Sequence, residues 1–257
     1  MRREPPSDTL VRTDDLSLAR GGVRIVEGVS LRIDRGRSLA LMGPTGAGKS
    51  TLAAFLAGAA GEGITAVGGA ATVAGIDARR PGRARRQLTW FAAHLPQRAG
   101  ADLPARLTVS EVISEPITSR DRRVNGRALA VRVATLLDEM KLPLGAAAKY
   151  PYELSAGMRQ RVAIARALVL DPRVLIADDP YANLDVEVRV AARDALTRRR
   201  DAFGMATLIV TNDREAAREL DAEVLVLRGG HPVAYGHHAD DLLWTPDESD
   251  APRAGAR

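Results

Sequence analysis

The sequence predicts a mixed α/β domain: a mostly parallel sheet covered by helices, with an antiparallel β part in front and a helical block inserted in the middle. Three observations carry this. The first 40 residues alternate with period two, a glycine-rich turn at Gly43–Gly48 joins an apolar strand to a helix, and strand and helix patterns alternate again from Arg173 to Leu227.

The antiparallel part is read from Leu16 and Leu18, Val23 and Ile25, and Val29, Leu31 and Ile33, with Gly21-Gly22 and Asp34-Arg35-Gly36 as turns between them. Ser38–Met42 is a short apolar strand, and Ser50–Leu56 is the helix that the glycine turn feeds. Thr65–Ile76 reads as another hairpin. Arg79–Arg86 places five arginines in eight residues without interleaved aromatics, which reads as a solvated face or mobile loop. Val109–Ile113, Arg127–Met140 and Met158–Leu170 follow a helical period; Leu129, Val133, Leu136, Leu137 and Met140 line one face of the second. Val162, Ala165, Leu168 and Val169 form a core stripe expected to pack on the strand Arg173–Ala177. Beyond it come a helix at Val186–Arg200, a strand at Ala206–Val210, a helix at Arg214–Leu220, a strand at Glu223–Leu227 and a hairpin at Gly229-Gly230. One domain over residues 10–245 is expected, with a core at 10–95 and 165–245, a helical subdomain at about 96–164, and a frayed tail at 246–257.

Composition narrows the chemistry. With 46% hydrophobic and 27% charged residues among 257, the chain is globular rather than disordered or fibrous. It has no cysteine, which excludes disulfides, iron–sulfur clusters and thiolate metal sites. Of its 37 basic residues 34 are arginine against 32 acidic ones, a bias that is weak support for nucleic acid, and no nucleic-acid partner is expected. No apolar run approaches the ~18–20 residues of a membrane-spanning helix. The amino terminus has positive charge but neither apolar segment nor small-residue cleavage site, so no signal peptide is expected. Histidines 94, 231, 237 and 238 have no metal-ligand spacing, and His237-His238 reads as a solvated turn.

Gly43-Pro44-Thr45-Gly46-Ala47-Gly48-Lys49-Ser50-Thr51 satisfies the phosphate-binding loop pattern between a strand and a helix. Its glycines turn successive N–H groups into one concavity at a helix amino terminus, Lys49 reaches terminal phosphates, and the Ser50 hydroxyl suits magnesium. ATP with Mg2+ is the expected cofactor. A magnesium nucleotide also needs a carboxylate at a strand end, and Val174–Ala177 followed by Asp178 and Asp179 supplies one.

Leu154-Ser155-Ala156-Gly157-Met158-Arg159-Gln160-Arg161 resembles the signature sequence of ATP-binding-cassette (ABC) ATPases. Gln97 falls at that family's Q-loop, Ala182-Asn183-Leu184-Asp185 resembles its D-loop, and Thr211-Asn212-Asp213 occupies its switch position. The resemblance spans about residues 10–245. It implies a P-loop NTPase fold of the RecA-like kind, metal-side roles for Ser50, Gln97 and Asp178, and catalytic roles for Asp179, Asn212 and Gln97. It also implies that Ser155 and Gly157 close on nucleotide held by a second cassette.

Four positions depart from the family pattern. Asp179 stands where a longer glutamate is usual, Asn212 replaces the switch histidine, Ala156 replaces the first signature glycine, and Arg20 replaces the aromatic that stacks on adenine. A positioning error of about 1 Å costs on the order of 100-fold in rate. Asn212 donates hydrogen bonds but does not titrate. Ala156 is tolerated at negative φ, and the planar guanidinium of Arg20 suits stacking. The expectation is a cassette that binds Mg-ATP well and hydrolyses it slowly at its own loop.

The run Tyr150–Val162 and the segment Leu107–Pro116 resemble the dipeptide, oligopeptide and nickel importer branch. That implies a second, non-identical ATPase, transmembrane permease subunits whose coupling helix docks near Gln97, a substrate-binding protein, and a place at the cytoplasmic face of the membrane. Two other readings stand beside it: a cassette subunit of a soluble enzyme complex that binds ATP without useful turnover, and a nucleic-acid- or ribosome-associated cassette.

Overall fold

The computed structural model describes residues 8–80, 82–121, 123–181, 184–238 and 240–244. Ala182 and Asn183 of the D-loop-like segment, Pro81 of the arginine run and the expected tail lie outside the described residues. In chain order the elements are β1 (Thr9–Arg20), β2 (Val23–Asp34), β3 (Ser38–Met42), α1 (Lys49–Leu56), β4 (Ile64–Val73), β5 (Ile76–Asp77), α2 (Arg83–Phe91) and β6 (Ala92–Leu95). There follow α3 (Val109–Thr118), α4 (Gly126–Glu139), α5 (Ala156–Leu168), β7 (Val174–Asp178), α6 (Val186–Phe203), β8 (Ala206–Val210), α7 (Arg214–Glu219), β9 (Ala222–Arg228), β10 (His231–Gly236) and β11 (Leu243–Trp244).

Two sheets form. A seven-stranded sheet runs β11-β10-β9-β3-β8-β7-β6, with β9, β3, β8, β7 and β6 parallel and β10 and β11 antiparallel at one edge. The antiparallel sheet runs β2-β1-β4-β5. Period-two alternation divides the core. Leu39 and Leu41 of β3, Val174 and Ile176 of β7, and Leu208 and Val210 of β8 pack toward α1 and the antiparallel sheet. Ala40 and Met42, Leu175 and Ala177, and Ile209 pack toward the helical side with Val162, Ala165, Leu168 and Val169. That stripe on α5 shares its cluster with β7, while α5 itself lies chiefly against α3 and β6.

The local reading differs from the structure in four places. Residues 64–77 form a hairpin only through the two-residue β5; β4 spends most of its length paired with β1, a long-range partnership. The arginine run leads into α2, which buries only Leu88, and it is tied down rather than free. Arg85 donates to the Gly58 and Ala60 carbonyls just past α1, and Arg80 pairs with Asp77 at 3.1 Å. The four-residue β6 completes the parallel sheet, pairing Leu95 with Ala177. The expected subdomain boundary at 164 falls inside α5.

Side-chain caps set helix starts, as at α3 and α5. Thr108 and Glu111 form a reciprocal capping box at α3. Ser155 caps α5, its Oγ accepting from the Met158 N–H at 3.2 Å.

Candidate functional site

Four parallel strands deliver their carboxyl ends to one place. β3 leads into Gly43–Gly48, β6 into Gln97, β7 into Asp178 and Asp179, and β8 into Thr211 and Asn212. Sheet pairing fixes the spacing: Leu41 and Asp178 both sit opposite Val210, the Thr211 N–H donates to the Leu41 carbonyl at 3.2 Å, and the Asp179 N–H donates to the Val210 carbonyl at 2.9 Å. The carboxyl edge of a parallel sheet is where such folds bind ligands.

The glycine turn has its conformation because two glycines are required. A Cβ on Gly43 would lie 2.0 Å from the Leu227 carbonyl oxygen, and one on Gly48 would lie 2.7 Å from Val26 and 2.9 Å from the Ile25 carbonyl, both at positive φ. The loop is thereby pressed against β9 and β2. Gly48 also stands at the start of α1 with no side chain to cap it, which leaves first-turn N–H groups for a ligand. Lys49 Nζ donates to the carbonyls of Gly43 at 2.7 Å and Pro44 at 2.8 Å, arching over the loop.

A cavity of about 360 Å³ opens here, lined by Arg20, Ile25, Thr45 through Thr51, Gln97, Asp178, Asp179, Val210, Thr211 and Asn212. Asp178 is 5% exposed, and burial raises its pKa above the usual aspartate range. The Ser50 hydroxyl, which donates to it, and the Lys49 charge pull the other way, while neighbouring Asp179 pushes it further up. A buried, ring-fenced carboxylate bonded to a serine hydroxyl beside a phosphate-sized nest is a donor set that fits magnesium. Asp179 adopts a left-handed backbone at φ 47°, a conformation that aspartate tolerates, and its Oδ2 accepts from Gln97 Nε2 at 3.3 Å. Asn212 Oδ1 accepts from the Gly43 N–H at 3.0 Å, so Nδ2 is the donor left for the cavity.

Of the residues the sequence singles out, Arg20, Thr45 through Thr51, Gln97, Asp178, Asp179 and Asn212 meet in this cavity, and Gly43 and Pro44 form the base of its loop. Ser155 and Gly157 do not line it; they stand at the start of α5. Ala156 is helical and is not among the residues of positive φ. Ile25 escapes sequence reading because its place beside the loop depends on how β2 packs, which no local pattern encodes. Val210 is equally silent: it reads as an ordinary core strand residue.

A second concavity of about 480 Å³ lies between the α2–β6 side and α3 with α5. Alanines 93 and 163 and Leu95 give it an apolar floor, Arg166 pairs with Glu115 at 2.8 Å on its wall, and Arg120 lies over the Trp90 ring at 5.2 Å. Pro96, next to Gln97, reaches it. It contains no glycine nest and no phosphate-binding lysine.

Residues 26–182 match the family model described as ABC transporter. The Mycobacterium tuberculosis oligopeptide transport ATP-binding protein OppD is 37% identical over 223 residues, covering 86% of this chain and 35% of that protein. The Bordetella pertussis sulfate/thiosulfate import ATP-binding protein CysA is 36% identical over 223 residues, covering 86% of this chain and 60% of its own length. The chain thus spans about a third of the first relative and three fifths of the second. Among solved structures, an ATP-binding cassette in a dimeric post-hydrolysis state bound to ADP and Pi superposes with a TM-score of 0.77 at 24% identity, over 92% of this chain and 99% of that one. At that identity the likeness speaks for the fold: a P-loop NTPase cassette. With more than half its residues in the family model, the chain belongs to the ABC transporter family as an ATP-binding cassette.

Proposed function

We propose that this chain is the ATP-binding subunit of an ABC importer for peptide-like solutes. It binds Mg-ATP in the cavity at the carboxyl edge of the parallel sheet. The observation that carries this is the meeting of an uncapped, glycine-built helix start, Lys49, and the Ser50–Asp178 pair in one cavity. The N–H groups of residues 46–50 and Lys49 bind the phosphates, Arg20 and Ile25 wall the base end, and Ser50, Gln97 and Asp178 hold the magnesium. When bound, the metal neutralises charge on the terminal phosphates. Asp179 orients the attacking water and Asn212 Nδ2 donates toward the γ-phosphate. Both side chains differ from the usual pair: Asp179 is one methylene short and engaged by Gln97, and Asn212, held through Oδ1 by Gly43, donates through Nδ2 but does not titrate.

Ser155 and Gly157 stand outside the chain's own cavity, which supports a second cassette whose nucleotide they cover. The slow own site favours a non-identical partner carrying the usual glutamate and histidine. Permease subunits dock in the alanine-floored groove and hold the protein at the cytoplasmic face of the membrane, with a substrate-binding protein delivering solute outside. The peptide class follows from the run Tyr150–Val162 and from the likeness to OppD; the likeness to CysA is the competing indication.

The test is binding and single-turnover hydrolysis of labelled ATP with magnesium, on the chain purified with whatever accompanies it from its native host. Micromolar binding, slow turnover, and a gain of about 10–100-fold in Asp179→Glu/Asn212→His are expected, since a displacement near 1 Å carries that weight. Permease subunits should co-purify. No ATP binding removes the proposal, and co-purifying soluble enzymes or RNA in place of permeases would replace the transport reading with the soluble-complex or nucleic-acid one.

A further inference from the structure

Outside the cavity one guanidinium touches the chain just beyond both altered hydrolytic positions. Arg189 on α6 donates through Nη1 to Asp213 Oδ2 at 2.8 Å and through Nε to Glu219 Oε2 at 3.1 Å, and it lies 5.4 Å from the centre of the Tyr181 ring. Asp213 follows Asn212, and Tyr181 stands two residues after Asp179. Arg189 and Glu219 are largely withdrawn from water, their side chains 21% and 17% exposed, while the Asp213 side chain stands at the rim, 43% exposed. Among the described residues, Arg193 and Asp194 are the other charges facing it. Tyr181 Oη and Arg189 Nη2 are buried without a hydrogen-bond partner among the described residues, and the polar contacts of this guanidinium found there are on the Asp213 and Glu219 side.

That hold reaches Asn212. Asp213 accepts from the N–H groups of Glu215 at 2.8 Å and Ala216 at 3.3 Å, fixing the start of α7, and its own N–H donates to Thr211 Oγ1 at 3.1 Å. Asn212 is thus suspended between two tied residues, with Oδ1 on Gly43 and Nδ2 left for the cavity. A paired, half-sequestered arginine fork fixes its partner more firmly than a surface contact does.

We propose that Arg189 is a positioning residue that, through Asp213, aims the Asn212 amide at the γ-phosphate and so gives this chain its preference for ATP over ADP. The proposal rests on the nucleotide-binding reading above. ADP has no γ-phosphate, so its affinity reports the loop, lysine and metal-side residues without Asn212. Titrating the full chain with Mg-ATP and Mg-ADP should give a wild-type preference for ATP of about 10-fold, the scale of one charge-assisted hydrogen bond. Arg189→Gln should lower ATP affinity about 5- to 10-fold and leave ADP affinity within about 2-fold, with Arg189→Lys between the two. Asp213→Asn keeps a side-chain oxygen for the start of α7 but loses the charge, and should reproduce the Arg189→Gln pattern. If Arg189→Gln loses both nucleotides through misfolding, Asp213→Asn decides. An unchanged ATP-to-ADP ratio in the folded variant, or a wild type without preference, overturns the proposal. A wild type that binds neither nucleotide is a different failure, one that removes the nucleotide site itself.

Discussion

Asp178 is a carboxylate that ionises less readily in the fold than in the open chain. Burial and the adjacent Asp179 raise its pKa, with the Ser50 hydroxyl and Lys49 opposing them. Because the folded value exceeds the unfolded one, near 3.9, the native state binds more protons across the window between them. Stability therefore falls as pH rises through that window and stays lower above it. At neutral pH the ionised carboxylate is a stability cost that a bound cation offsets. Asp178→Asn, which keeps the shape and removes the charge, should raise the Tm of the nucleotide-free chain at pH 7 while weakening Mg-dependent ATP binding by more than about 10-fold, the scale of one lost metal-ligand carboxylate. A calorimetric scan with a binding titration checks both, and a lowered Tm would show that the Asp178 charge stabilises the fold. Single residues of this kind were legible in the sequence because metal and phosphate chemistry needs fixed residue types at fixed spacing. The Gly43–Asn212 bond was not, since it joins residues brought together only by the pairing of β3 with β8.

Among elements, legibility follows how local the determining forces are. β3 and β8 have the bounds their apolar runs suggest, and α5 begins two residues earlier than its periodicity because the Ser155 cap lies upstream of the apolar stripe. α2 hides in an arginine-rich stretch with one buried residue, its position set by Arg85 reaching the carbonyls beyond α1. β4 reads as half of a hairpin, yet it is recruited by β1, and strand partners are chosen by packing rather than by local propensity. The start of α5 also settles what Ala156 does. Its helical backbone needs no glycine, so the departure from the signature pattern is conformationally free. Ala156→Gly should leave ATP turnover of the assembled complex unchanged and reduce stability by up to about 1 kcal/mol, the helix cost of glycine. Thermal unfolding alongside a phosphate-release assay measures the two, and a gain in turnover would mean that the alanine methyl obstructs the nucleotide.

At the scale of the whole molecule, the residues proposed to bind nucleotide and those proposed to cover it stand apart. The phosphate-binding loop and its carboxylates open into one cavity at the sheet edge, and Ser155 and Gly157 stand at the start of α5 without lining it. Under the proposed two-cassette reading, this separation also separates the effects of damage. Lys49→Ala removes a charge from the cavity of the same chain, so this chain's own ATP affinity should fall by about 10-fold or more, as expected for a lost phosphate-paired lysine. Gly157→Asp puts a negative charge where a partner's phosphate would approach. It should leave this chain's own affinity within about 2-fold yet reduce hydrolysis at the partner's loop by on the order of 100-fold, since repulsion there opposes the charge that the closed site must stabilise. Steady-state turnover of the assembled complex, with nucleotide binding measured separately on the isolated chain, distinguishes the two substitutions. The proposed pairing also orders a third: Asp179→Ala should cost the complex less than loss of the partner's corresponding acid, because that reading makes the site completed by this chain's Ser155 and Gly157 the faster one. Equal and total loss from Asp179→Ala would place the working site at this chain's own loop, and a fall in this chain's ATP affinity from Gly157→Asp would mean that one chain closes on itself.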